Sequence, residues 1–361
     1  MKKIALFLAL IMMLSLLTAC GGSEENNADD SFGSDYENGT EEDDQDDGSA
    51  KEDLPSGGSD STQEDDKNTE EDDKTDEEDD KKEEEDDKKE EDDLPEDDGK
   101  FLEENPDDFK LPFTGYETIT LGSDKLQAGD LVLVDAAHPY DSAASGTVVR
   151  VKEYNTNRLS MVATSKIHMN FVALRKLQEM TSAMHEALQI NYLYYIQAAF
   201  LTNDELTDLH ANYPNEYPED GGKCDLNTGR AVVLSVYTGA MNYGLRNGAV
   251  KNVSDWTDEN AHKYGFIVEE NVGENGKLRY VGVPHATYMK ENGLDLEGYL
   301  TKLQNGDKLQ ITDHRNLTWT VYHVKASEGT ATEVKVPTGM IYDVSGDNNG
   351  GYIVTVKGAC N

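Results

Sequence analysis

The sequence predicts an α+β fold over residues 106–361, with helices flanking a sheet and a small β module at the C-terminal end. Three observations predict it. After Pro106 strand and helix signals alternate irregularly. Between Lys166 and Ile190 the apolar residues Leu174, Leu177, Met180, Met184 and Leu188 recur at three- to four-residue steps, the stripe of an amphipathic helix. From Leu309 onward the pattern becomes short β segments, including Trp319–Val324 and Tyr352–Val356, broken by Gly346 and Gly350-Gly351.

Taken in order, Leu131–Val134 and Thr147–Val151 read as strands, and the amphipathic helix follows. Tyr192–Gln197 reads as a strand, Asn203–Tyr213 as a helix and Arg230–Val236 as a β-branched strand. A further helix starts near Ser254, a good N-cap with Asp255 and Asp258 in its first turn, and Gly265 is placed to end it. Pro284 opens another that stops at Asn292-Gly293. A last helix begins at Asp295, shows Leu296, Tyr299, Leu300 and Leu303 on one face, and ends at Asn305-Gly306.

The N-terminal third has a different character. Lys2 and Lys3 precede an apolar run from Ile4 to Leu17, interrupted by Ser15, and then Leu17-Thr18-Ala19-Cys20. The run is shorter than the ~20 residues a membrane span needs, and it ends in small residues before a cysteine. The pattern resembles the lipobox of bacterial lipoproteins, so residues 1–20 are expected to be a signal peptide and Cys20 the acylated N-terminus of the mature chain. The alternative is an ordinary signal peptide with an incidental cysteine. The expected location is the extracellular face of the bacterial cell membrane, with the lipid as anchor.

The formal net charge of -41 belongs mostly to one segment. Residues 21–105 hold 41 acidic and 8 basic residues, which leaves -10 on residues 106–361 once Lys2 and Lys3 are counted. With almost no large apolar residues, this segment cannot bury enough surface to offset its ordering entropy, so it is expected to be a disordered, charge-extended linker. The folded region's negative charge argues against a nucleic-acid partner. Cys224 and Cys360 are left to pair or stay free.

Three stretches carry a family resemblance. They are Leu131-Val-Leu-Val-Asp-Ala-Ala-His138-Pro139; Cys224-Asp-Leu-Asn-Thr-Gly-Arg-Ala-Val-Val233-Leu; and Trp256 through Glu259-Asn-Ala-His-Lys-Tyr-Gly-Phe266 and Leu278-Arg-Tyr-Val-Gly282 to Leu296-Glu-Gly-Tyr-Leu300. Together they resemble the zinc D-alanyl-D-alanine carboxypeptidases of the vancomycin-resistance type, whose fold is shared with hedgehog domains. The resemblance implies an antiparallel sheet flanked by helices over residues 106–304, followed by a β module over 305–361.

It also implies a zinc site, and here the sequence departs from the family. The metal motif Ser-x-His-x-x-Gly-x-Ala-x-Asp puts the family's first histidine ligand on Leu226 and its aspartate on Val233, and the second histidine falls on Lys277. Leucine and valine offer no lone pair, and an ammonium repels a dication. The family's general base falls on Glu274, and the substrate-carboxylate arginine on Leu201. Zinc lowers the pKa of its bound water from about 15.7 to about 7, which Glu274 alone cannot do.

The expected protein is therefore a degenerate carboxypeptidase without zinc or other cofactor. It is expected to bind a peptidoglycan stem peptide or a wall protein at the cell surface, with Glu274 and Lys277 paired where zinc would sit. The alternative is an active D,D-carboxypeptidase with a metal site rebuilt from residues such as Cys224, Asp225, His210, Glu219 and Asp220. The remaining histidines match no metal-binding spacing and read as packing or surface residues.

Overall fold

The computed structural model describes residues 105–360 apart from 156–159, 215, 216, 218 and 330. The expected signal peptide, Cys20 and the acidic linker up to residue 104 lie outside the described residues. Among the described residues no helix is long and apolar enough to cross a membrane.

The chain begins with a 3₁₀ turn, Pro106–Lys110, whose first amide is capped by Asn105. Phe109 leaves this turn to meet Trp319 edge-on, with ring centroids 4.6 Å apart. Strand β1 (Tyr116–Leu121) follows. Leu131–Val134, read as a strand from its apolar run, forms no ladder. Its N–H groups bond singly instead, Leu131 to Ser345 Oγ and Leu133 to the Asp347 carbonyl, both at 3.0 Å. The run is apolar because Leu131 and Leu133 enter a core beside Tyr299, Leu300 and Trp319.

Strand β2 (Val148–Arg150) is shorter than expected, and β3 (Ser160–Val162) comes after it. Strand β4 (His168–Asn170) takes residues the periodicity gave to the helix, so α1 runs Phe171–Leu188. The Asn170 side chain fixes this boundary by accepting from the amides of Val172 and Ala173. Strand β5 (Leu193–Ala198) leads to α2 (Asn203–Asn212), which Thr202 and Glu205 close with a capping box. Strands β6 (Ala231–Tyr237) and β7 (Asn242–Gly244) form a hairpin.

Helix α2 is followed in the helical series by α3 (Lys251–Asn260), which begins earlier than the Ser254 cap predicts. A 3₁₀ turn capped by Asn247 precedes it, and Ser254 lies inside the helix, accepting a hydrogen bond from Arg246 at 2.8 Å. Gly265, at φ 83°, closes the 3₁₀ extension of this helix as expected. Strands β8 (Phe266–Val268) and β9 (Gly276–Tyr280) precede α4 (Val283–Asn292) and α5 (Leu296–Gln304), which Pro284 and Asp295 start as predicted. The chain ends in β10 (Leu309–Thr312), β11 (Thr318–Lys325), β12 (Thr332–Pro337), β13 (Tyr342–Gly346) and β14 (Gly351–Lys357).

The main sheet has the order β3-β5-β6-β9-β8, with β7 also on β6, and only the β3/β5 pair is parallel. Helix α1 covers it, burying Leu174, Leu177, Met180 and Met184 against Ile196, Val232, Leu234 and Leu278. The C-terminal strands form a second antiparallel sheet, β10-β11-β14-β13. Strand β12 pairs instead with β1. The fold is thus α+β with largely antiparallel sheets, and the C-terminal strands draw one partner from residues 116–121.

Candidate functional site

A cleft of about 1140 Å³ opens between the end of the main sheet, the segment after α2 and the start of α5. Leu226, Val233 and Lys277 all line it. Leu226 sits in a 3₁₀ turn, Asp225–Thr228, which ends at Gly229 in the left-handed region at φ 70°. That glycine sets the chain on the path into β6, where Val233 stands directly across from Lys277 of β9. Leu226, Val233 and Lys277, the positions to which the resemblance assigns the ligands, therefore line one cleft.

Their chemistry is not that of a zinc site. Leu226 and Val233 are 5% and 2% exposed and belong to one apolar cluster with Leu206, Leu209 and Tyr217. Lys277 Nζ lies 2.6 Å from Asp225 Oδ1 and 3.3 Å from Glu269 Oε2. Burial works against the Lys277 ammonium, but the Asp225 and Glu269 carboxyls outweigh it and raise its pKa. Burial likewise opposes ionisation of Asp225, and Lys277 and Arg279 overcome it, holding the Asp225 carboxyl below its ordinary range. Glu269, desolvated and next to the Asp225 charge, is pushed up to about 8.

Asp225 Oδ2 is buried and has no hydrogen-bond partner among the described residues. The Lys277 ammonium bridges the two carboxyls. Arg279, at 1% exposure, lies beneath, directing N–H groups at the carbonyls of Asp225, Asp130 and Val132 and at the Thr228 hydroxyl. With two apolar residues and an ammonium at the three ligand positions, this floor does not fit a zinc ion.

Glu274 stands elsewhere. It is exposed in the turn between β8 and β9, does not line the cleft, and accepts from Asn247 Nδ2 at 3.1 Å. The expected Glu274–Lys277 pair is corrected: Lys277 takes Asp225 and Glu269. Glu269 had no motif to mark it. Its backbone N–H donates to the Lys277 carbonyl at 2.9 Å, so one step beyond Val268–Leu278 in the β8/β9 register places Glu269 opposite Lys277. Leu201, at the arginine position, packs against the apolar cluster beside Val233 and brings no charge.

The residues considered for a rebuilt site all line the cleft but are engaged singly. His210 Nδ1 lies 2.7 Å from the Tyr217 carbonyl, and Asp220 pairs with Lys223 at 3.5 Å. Burial and the Asp225 charge push the Cys224 thiol well above its ordinary pKa, which keeps it protonated and a poor nucleophile. Among the described residues no three His, Cys, Asp or Glu side chains converge as a metal-holding group. Cys224 and Cys360 are buried free thiols in different clusters. His285 and His323 hold buried bonds, to Tyr299 and Thr355 and to Asp347.

No family model matches the chain. A D-alanyl-D-alanine carboxypeptidase of Enterococcus faecium is 26% identical over 250 residues, covering 66% of this chain and 78% of that one. Among solved structures, the vancomycin-resistance D,D-dipeptidase VanXYg, in complex with a D-Ala-D-Ala phosphinate analogue, superposes at a TM-score of 0.54. It is 20% identical, and the match covers 67% of this chain and 98% of that one. The chain is thus similar in sequence to a D-alanyl-D-alanine carboxypeptidase and similar in fold to a vancomycin-resistance D,D-dipeptidase.

Proposed function

We propose that this protein is a lipid-anchored, cell-surface binding protein whose carboxypeptidase-like domain holds a peptide of the peptidoglycan stem kind without hydrolysing it. One observation carries the reading: Lys277, bridged to Asp225 and Glu269, stands across β6 from Val233 and beside Leu226, so the position where the family holds zinc presents an ammonium and two hydrocarbons. A Lewis acid that would activate water has no donors there, and no side chain in the cleft replaces it. The cleft itself persists, and the VanXYg structure with its D-Ala-D-Ala analogue supports a short peptide as the kind of ligand. Anchoring at Cys20 and the acidic linker supply reach into the wall.

The test uses the mature full chain. After mild dialysis it should hold below about a tenth of an equivalent of zinc, release no D-alanine from a pentapeptide, and be retained on peptidoglycan at low salt. About one equivalent of zinc with chelator-sensitive D-alanine release would overturn the reading. The triple substitution Leu226→His, Val233→Asp and Lys277→His should raise zinc content to about one equivalent, because it returns two imidazoles and a carboxylate to three converging positions.

A further inference from the structure

The ion pair between Lys277 and Asp225 is held where charge is costly. Their side chains are 16% and 12% exposed, with Leu226 next to one in the chain and Val233 across the sheet from the other. Taking two charges out of water is offset in full only when the remaining lone pairs find donors. Here one oxygen does not, because Asp225 Oδ2 is buried with no hydrogen-bond partner among the described residues.

The contact is also that of two groups placed to react. Lys277 Nζ lies 2.6 Å from Asp225 Oδ1, so the carboxyl carbon is one bond beyond the oxygen it touches. Glu269 Oε2 is 3.3 Å from the same nitrogen, within reach to take a proton from it and pass one on. Burial and the Asp225 charge push the Glu269 pKa up to about 8, which suits a carboxyl that both accepts and gives a proton near neutral pH.

We propose that Lys277 and Asp225 condense into an amide, an intramolecular isopeptide bond that ties the turn Asp225–Thr228 to β9, with Glu269 as the proton carrier. The step balances without a co-reactant. The Lys277 ammonium passes one proton to the Asp225 carboxylate, and the freed amine forms a bond to Cγ. Glu269 takes a second proton from the nitrogen and delivers it to the departing hydroxyl, the C–O bond breaks, and one water leaves. The Arg279 charge, which acts on the Asp225 carboxyl, steadies the oxyanion formed on the way. The two carboxyls favour the ammonium over the amine, so the reaction is a slow maturation step after folding.

The product replaces two charges by one neutral amide and removes one of the two carboxyl oxygens. An amide nitrogen, its lone pair shared with the carbonyl, offers nothing to a metal, so the position stays unfit for zinc. The chain is closed covalently between residues 225 and 277, which fixes the floor of the cleft whatever the cleft binds.

Peptide mapping of the mature full chain, incubated for several days, denatured and digested with trypsin, tests this. The bond blocks cleavage after Lys277, so residues 224–230 should be joined to residues 264–279 in one branched peptide, lighter than the two by one water. Fragmentation should place the link between Asp225 and Lys277. Lys277→Arg, which keeps the charge but not the amine, and Glu269→Gln should each release residues 224–230 unjoined. Unjoined peptides from the parent chain would overturn the proposal, and so would a link from Lys277 to Glu269. A link that persists in Glu269→Gln would overturn the part given to Glu269. None of these outcomes touches zinc content or retention on peptidoglycan, which test the binding reading separately.

Discussion

Lys277 shows how one side chain changes what an inherited cleft can do. The sequence shows an ammonium at this position but not what neutralises it, because its two partners come from separate segments. The resemblance puts the family's general base on Glu274, three residues before Lys277. In the hairpin, however, residues 274 and 277 fall on a turn and a strand, and the turn carries Glu274 out to Asn247. Lys277→Met would leave Asp225 buried against Glu269 with no cation between them. It is expected to cost about 3 kcal/mol of stability, the scale of a broken buried pair, and adding Asp225→Asn should restore part of it. Chemical denaturation of the single and double variants reads this coupling.

At the scale of elements, the strongly patterned pieces match their periodicity and the boundaries move where side chains intervene. The stripe of α1 is buried as expected, yet its start is set by Asn170, which caps two amides while its own strand pairs with β2. Asn170→Ala removes that cap at 1% exposure and is expected to destabilise the protein by about 1–2 kcal/mol. Hydrogen exchange should then quicken in the first turn of α1 before the rest of the helix. The start of α3 moved for a similar reason: Ser254 reads as a cap by residue type, but Arg246 takes its hydroxyl within the helix and an earlier asparagine caps the turn before it. Residue type suggests a cap, and the available partner decides its place.

In the whole molecule, the C-terminal strands and the carboxypeptidase-like helices share a polar joint as well as an apolar one. His285 of α4 is buried with Nδ1 2.7 Å from the Tyr299 hydroxyl of α5 and Nε2 3.0 Å from the Thr355 hydroxyl of β14. Burial pushes its pKa down from 6.5 to about 4. Between these values the folded chain binds fewer protons than the unfolded chain, so stability rises with pH across the window and is lost as pH falls from 6.5 toward 4. The shift corresponds to about 3 kcal/mol when both limits are reached. Thermal unfolding followed from pH 7 to 4 should show this decline, and His285→Gln should reduce the slope by one proton's share.

The sequence by itself determined the α+β class, the principal helices, several of the strands, and the contrast between an acidic N-terminal segment and the apolar-patterned region after Pro106. Those follow from local periodicity, composition and matched spacing, each readable within a few tens of residues. Only the tertiary structure decided that β1 would pair with β12, that Leu131–Val134 would be core chain without a ladder, and that Asp225 and Glu269 would hold Lys277. The physical reason is separation along the chain. Burial and ion pairing depend on which segments meet, and no local pattern at residue 225 encodes its meeting with the β8/β9 hairpin.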